Sequence, residues 1–148
     1  MQINCDLHNP VNTVLSFGVL ISIVGASFYY VSATDAKEPW LGIEGSNLTP
    51  AIAKTLGVQQ TDGFLIFSVE PDSPAEHAGL KGGDRVLTID GQPIVVGGDL
   101  IISVDDIEIK NAQDIEALLH YKTVGDFVQF GVVRGGSTIE FQVQLGAK

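Results

Sequence analysis

Apolar positions fall into one long unbroken run followed by a series of short, patterned ones. Asp6 and Asp35 bracket Leu7 to Thr34, a stretch without Asp, Glu, Lys or Arg, whose densest part is VLSFGVLISIVGASFYYV from Val14 to Val31. As a helix that part reaches about 27 Å at ~1.5 Å per residue, enough to span a bilayer with help from its flanks. Phe28, Tyr29 and Tyr30 at its end fit an interfacial aromatic belt. The run therefore reads as a single membrane anchor. A secretory signal cut near Ala33, where Val31, Ser32 and Ala33 are small enough for cleavage, is the competing reading, although no Lys or Arg precedes it. Either one carries the following chain across the membrane, so the remainder is expected outside the cytoplasm, with Cys5 an inert thiol on the other side. The organisation read from this pattern is a short tail (1–13), the apolar segment (14–31), a linker (32–38) and a folded domain (39–148).

Beyond the linker the runs shorten and turn signals separate them. WLGIEGS breaks at glycines and reads as a strand at a sheet edge. Thr49 and Pro50 give an N-cap and first helical position for AIAKTL, which Gly57 closes. GFLIFSV, Gly63 to Val69, is continuously apolar and reads as a buried strand. Ser73 and Pro74 repeat the cap signal for AEHA, ended by Gly79. From Gly82 the sequence repeats at a spacing of fifteen, GGDRVLTIDGQPI against GGDLIISVDDIEI, each copy a strand and a turn. Asn111 caps the helix AQDIEALLHYK with Asp114 in the capping-box position, and Ile115, Leu118 and Leu119 share one of its faces. FVQFGVVR, a Gly135–Gly136 turn and STIEFQVQL specify a closing hairpin. The fold class is mostly β with short α-helices.

Charge and composition narrow the function. With 18 acidic against 8 basic residues the net charge is −10, the wrong sign for neutralising phosphates, so no nucleic-acid partner is expected. The acidic balance favours basic or neutral ligands. A single cysteine excludes an internal disulfide and a cysteine-based zinc site. His8, His77 and His120 belong to no Ser-His-Asp set, Ser137 sits in a hairpin turn, and HExxH is missing. No enzyme activity, cofactor or metal is implied. What the sequence does offer is Gly42, between apolar residues at a strand edge. A glycine there lets a second backbone come close and leaves amide N–H groups free for an anion such as a terminal carboxylate. An extended peptide would then add as a further strand.

The series WLGI, GFLIFSVEPDSPAEHAGLKGGD and DLIISVDDIEI, followed by a helix, resembles a PDZ domain, in particular the circularly permuted bacterial kind attached to HtrA (DegP-type) serine proteases. The resemblance covers nearly all of Trp40 to Leu145, and V-x-P-x-S-P-A-x-x-A-G-L-x-x-G-D, Val69 to Asp84, is its most specific part. It implies a PDZ-like β-sandwich or partly open barrel, with the second repeat copy as the family strand and the first as an inserted hairpin. The carboxylate loop would be Trp40, Leu41, Gly42 and Ile43, with the amides of Leu41, Gly42 and Ile43 as donors. Ile43, Glu44, Gly45 and Ser46 would pair with the ligand, and Ile115, Leu118 and Leu119 would meet its last side chain, favouring an apolar C-terminal residue. Ordinary core packing explains Leu41, Ile43, Ile115 and Leu118 equally well. No protease domain accompanies the match, although PVNTV, Pro10 to Val14, is similar to the segment that ends many HtrA protease domains. The function implied is a membrane-tethered peptide-binding module, serving an HtrA-type protease in protein quality control. The alternative is a structural or regulatory subunit with no exchanging ligand.

Overall fold

A computed structural model describes Lys37–Lys148 and, before it, two strands, β1 (Val19–Ile23) and β2 (Ser27–Val31). The chain divides into two units, Met1–Ala36 and Lys37–Lys148. In the first, β1 and β2 pair antiparallel from Val19 opposite Val31 to Ile23 opposite Ser27. The expected helix over Val14–Val31 is thus replaced by strands at its described residues. Both are rich in β-branched or aromatic side chains, which fit an extended backbone better than a helical one. Among the described residues no helix is long and apolar enough to cross a membrane. The tail with Cys5 and PVNTV lies outside the described residues, as do the small residues proposed for cleavage at Ser32 and Ala33.

The second unit contains β3 (Pro39–Trp40), β4 (Ile43–Asn47), α1 (Pro50–Leu56), β5 (Phe64–Val69), α2 (Pro74–Ala78), β6 (Arg85–Ile89), β7 (Gln92–Val96), β8 (Leu100–Val104), β9 (Ile107–Glu108), α3 (Ala112–His120), β10 (Phe127–Arg134), β11 (Ser137–Gln144) and β12 (Gly146–Ala147). The helix signals act as read. Thr49 Oγ1 accepts from the Ile52 N–H, Ser73 Oγ from the Glu76 N–H and Asn111 Oδ1 from the Asp114 N–H, while Gly57 and Gly79 end α1 and α2 in the left-handed region. Asp114 closes its side of the cap one residue early, accepting from the Lys110 N–H at 2.8 Å.

The main sheet runs β11-β10-β8-β5-β4, with β9 paired to β8. It is open: β4 and β11 end the path and do not meet, so no barrel closes. Both faces are buried, which is why β5 is continuously apolar. The register places Phe64 opposite Ile101 and Ile101 opposite Val132, and one residue along Leu65 opposite Leu100 and Leu100 opposite Val133. The first row belongs to a core shared with Ala75 of α2 and Ile115 of α3, the second to a core shared with Ile52 and Ala53 of α1 and with Ile89 and Val96 of the β6–β7 hairpin. Both cores lie wholly within Lys37–Lys148.

Candidate functional site

Because β4 pairs only with β5 among the described residues, its other edge has no partner there. The Gly42 carbonyl accepts from the Glu70 N–H at 2.8 Å, and Ile43 stands opposite Val69. In the alternation of an antiparallel ladder this turns the N–H and C=O of Ile43 toward the open edge. The loop before β4 is pulled the same way: the Leu41 carbonyl accepts from the Ala75 N–H at 3.0 Å. With both carbonyls directed inward, the amide N–H groups that follow them in the same trans peptides, those of Gly42 and Ile43, point the other way, and neither the Leu41 nor the Gly42 N–H donates to anything among the described residues. Three successive amide N–H groups beside a sheet edge thus lack an internal acceptor among the described residues, the kind of backbone run from which anion-binding concavities are built.

The turn is fixed by Gly42 and Ser73. Gly42 has φ +81°, and a Cβ placed on it would lie 2.3 Å from the Ser73 Cβ. Ser73 is fully buried and caps α2. The Ser-Pro-Ala sequence therefore works at a distance, since its helix start accommodates Gly42 and supplies the donor that orients Leu41. This close contact, in addition to access for a ligand, is why glycine is needed at position 42.

Beside the loop lies a groove of about 430 Å³ between β4 and α3, lined by both walls and by Phe64 at the base. Of the residues expected from the sequence, Trp40, Leu41, Gly42, Ile43, Glu44, Ile115 and Leu119 line it. Leu41 and Ile115 serve twice, being buried in the core and reaching the groove. Gly45, Ser46 and Leu118 do not line it. A Cβ on Gly45 would collide with the Leu65 carbonyl at the β4 bulge, Ser46 donates to the Asn47 carbonyl, and Leu118 packs on the core. Gly45 and Ser46 remain on the open edge, where only their backbone faces an added strand.

Several groove residues carry no sequence signal. Pro39, Glu70, Glu116 and Lys148 line it too, beside Ala112 at the start of the helix that the resemblance makes the groove wall. Lys148 is brought in by β12, which pairs with β3. Its ammonium stands 3.8 Å from Glu70 and 5.7 Å from the centre of the Trp40 ring. Asn47 sets the groove's width: its Oδ1 accepts the Ala112 N–H at 2.8 Å, tying the first turn of α3 to the end of β4. Elements this far apart in sequence announce their pairing only in three dimensions.

Two PDZ-domain family models match the chain, over residues 66–97 and 95–145. The folded unit is a PDZ domain. It is the kind carried by HtrA (DegP-type) serine proteases. A probable periplasmic serine endoprotease DegP-like of Marinomonas sp. is 44% identical over 61 residues, covering 41% of this chain and 13% of that protein. Its counterpart in Halomonas elongata is 33% identical over 104 residues, 66% of this chain and 22% of that protein. The chain thus spans about a fifth or less of these relatives' length, and the family matches fall on the PDZ region alone. Among solved structures, the HtrA3 PDZ domain bound to a phage-derived ligand (FGRWV) superposes with a TM-score of 0.57 at 16% identity, covering 74% of this chain and 86% of that one. The HtrA-type protease AlgW with a decapeptide gives 0.58 at 20% identity, covering 89% and 42%. These likenesses concern the fold. The second repeat copy is the sheet strand β8 and the first is the separate β6–β7 hairpin, as the resemblance implied.

Proposed function

We propose that the PDZ domain binds the C-terminal segments of proteins at an extracytoplasmic surface, as an adaptor or regulatory part of an HtrA-type protease system. The observation that supports this reading is the run of amide N–H groups without an internal acceptor at Leu41, Gly42 and Ile43, beside an open strand edge and a groove with apolar walls. A peptide enters as a strand on β4, its carboxylate on those amides, its backbone along Ile43 to Ser46 and its last side chain against Ile43, Ile115 and Leu119. That pocket favours an apolar final residue. The relatives are described as periplasmic, which supports a location outside the cytoplasm. Two structural neighbours carry peptides, one of them ending in valine. Tethering through residues 14–31 rests on composition, the charge-free run from Leu7 to Thr34.

Trp40 is the only tryptophan and borders the loop, so its fluorescence reports occupancy. Titrating the full chain with peptides ending in Val, Leu, Ile, Phe or Ala should give saturable changes for the free acids and much weaker ones for the C-terminal amides. Equal affinity for acids and amides would replace carboxylate recognition by internal-strand capture. No binding by fluorescence or calorimetry would favour a subunit whose groove exchanges no ligand.

A further inference from the structure

We propose that the groove is electrically polarised and selects peptides that combine a free C-terminal carboxylate with a lysine or arginine one to three residues upstream. This rests on the peptide-binding reading and adds a ligand class to it. Four charged side chains line the groove, Glu44, Glu70, Glu116 and Lys148. Lys148 lies near Glu70 and against Trp40, the residue that leads into the donor loop. The loop end therefore offers a cation beside the amide donors, paired with Glu70.

The remaining carboxylates stand on the two walls along which the rest of a peptide must run. Glu44 is on β4 and Glu116 on α3, one residue past Ile115. Glu44 accepts from the Ser68 hydroxyl at 3.1 Å, which holds one oxygen on the outer face of the sheet and leaves the other available. Among the described residues neither carboxylate has a cationic partner within 4 Å. Ligand side chains alternate between the two faces of an added strand. A basic residue pointing away from α3 meets Glu44, and one pointing into the groove meets Glu116. An acidic residue at either place meets an unpaired like charge in a protein already at net −10.

The test uses the full chain and peptides ending in valine, in which lysine, glutamine or glutamate is walked through the three positions before the last. The best lysine peptide should bind about two- to fivefold tighter than its glutamine counterpart at low salt, as expected for one exposed pair, and the glutamate peptide more weakly than either. Raising the salt to about 0.5 M should bring the lysine-to-glutamine ratio close to one, a change that needs no mutation. Combining Glu44→Gln with Glu116→Gln should abolish the ratio at low salt, whereas Lys148→Gln should weaken free acids more than amides. Equal affinity for lysine and glutamine peptides at every position would overturn the polarised groove and leave carboxylate recognition standing. If no free-acid peptide binds, both fall together.

Discussion

Two stretches of the same pattern, GGDRVLTIDGQPI from Gly82 and GGDLIISVDDIEI from Gly97, identical at five of thirteen positions, meet opposite fates. Each forms a strand, a turn and a return strand. The second becomes β8, paired on one side with β5 and on the other with β10, while among the described residues the strands of the first, β6 and β7, pair only with each other. Matched positions diverge accordingly: Ile101 is fully buried where Val86 is 64% exposed, and Leu100 is buried where Arg85 faces solvent. Arg85 is decisive, because Leu100 stands between Leu65 and Val133 with no room or partner for a guanidinium. Local sequence is thus enough to specify a hairpin. Its place in or outside the core depends on a few inward positions.

The junction between the copies explains how the extra hairpin is accommodated. The Asp99 N–H donates to the Lys81 carbonyl at 3.0 Å, and the Lys81 N–H donates to Asp99 Oδ2 at 2.9 Å. The ends of the hairpin are therefore already clamped together. Removing residues 82–96, one period of the repeat, would leave Lys81-Gly97-Gly98-Asp99, a four-residue turn whose i to i+3 bond exists beforehand. The excised chain should fold and keep its peptide groove, with free-acid affinity within about threefold. It should lose about 3–6 kcal/mol of stability, since Ile89 and Val96 each contribute about 1.5–3 kcal/mol by burial beside α1. Denaturant unfolding and the Trp40 titration read the two quantities separately. Loss of the groove on excision would mean that the first copy supports the sheet as well as the second.

The aspartates that open the copies give the next contrast. Asp99 is buried and accepts two bonds of 2.6 Å from Arg134, whose guanidinium also donates to the Gly79 carbonyl and lies 4.8 Å from the centre of the Phe141 ring. Asp84 meets only Arg85, at 3.4 Å, with its side chain 79% exposed. Asp99→Ala should cost about 3–5 kcal/mol by stranding a partly buried cation, whereas Asp84→Ala should stay within about 0.5 kcal/mol. The apolar partners come next. Ile101→Ala should cost about 2–5 kcal/mol through the cavity it leaves, and Val86→Ala about 0.5 kcal/mol or less. Similar costs for either pair in denaturant unfolding would show that the hairpin is as integral as β8.

Sequence reading succeeded where the governing interaction is local. The caps at Thr49, Ser73 and Asn111, the glycine stops, the closing hairpin and the edge strand at Ile43 all depend on neighbours within a few residues. The Val69 to Asp84 motif reached further because it joins a strand, a cap and a helix in one segment, and it identified the PDZ family. Of the helix face Ile115, Leu118 and Leu119, the first and last line the groove and Leu118 does not, because helical periodicity locates a face without saying which part of it meets a particular neighbour. Lys148, Glu70 and Glu116 were invisible for a different reason: their proximity is created by β12 meeting β3 and by Asn47 holding α3. The helical reading of the apolar run from Val14 differs from the strands at its described residues because continuous hydrophobicity carries no period, and β-branched residues such as Val19 and Ile21 suit a strand as readily as a buried helix.

The smallest effect separates the turn aspartates, Asp90 and Asp105. Both sit in the left-handed region, at φ +50° and +47°, which aspartate tolerates in a turn. Asp105 also accepts the Gln129 N–H at 2.8 Å and the Lys122 ammonium at 2.6 Å. These bonds, the backbone one foremost, hold its carboxyl below the ordinary range, and the Thr123 N–H does the same for Asp126. A carboxylate with a depressed folded value leaves the unfolded chain binding more protons, so its stabilisation is present above about pH 4 and is lost as the pH falls through the folded value. Because Asp105 is a third exposed, solvent screening keeps this contribution small. Asp105→Asn should lower stability at neutral pH and flatten the loss below pH about 4. Asp90→Asn, at the matching turn of the outer hairpin, should leave the neutral-pH midpoint unchanged within about 0.5 kcal/mol. Parallel acid profiles for wild type and Asp105→Asn would show that the second turn, like the first, is held by backbone geometry alone.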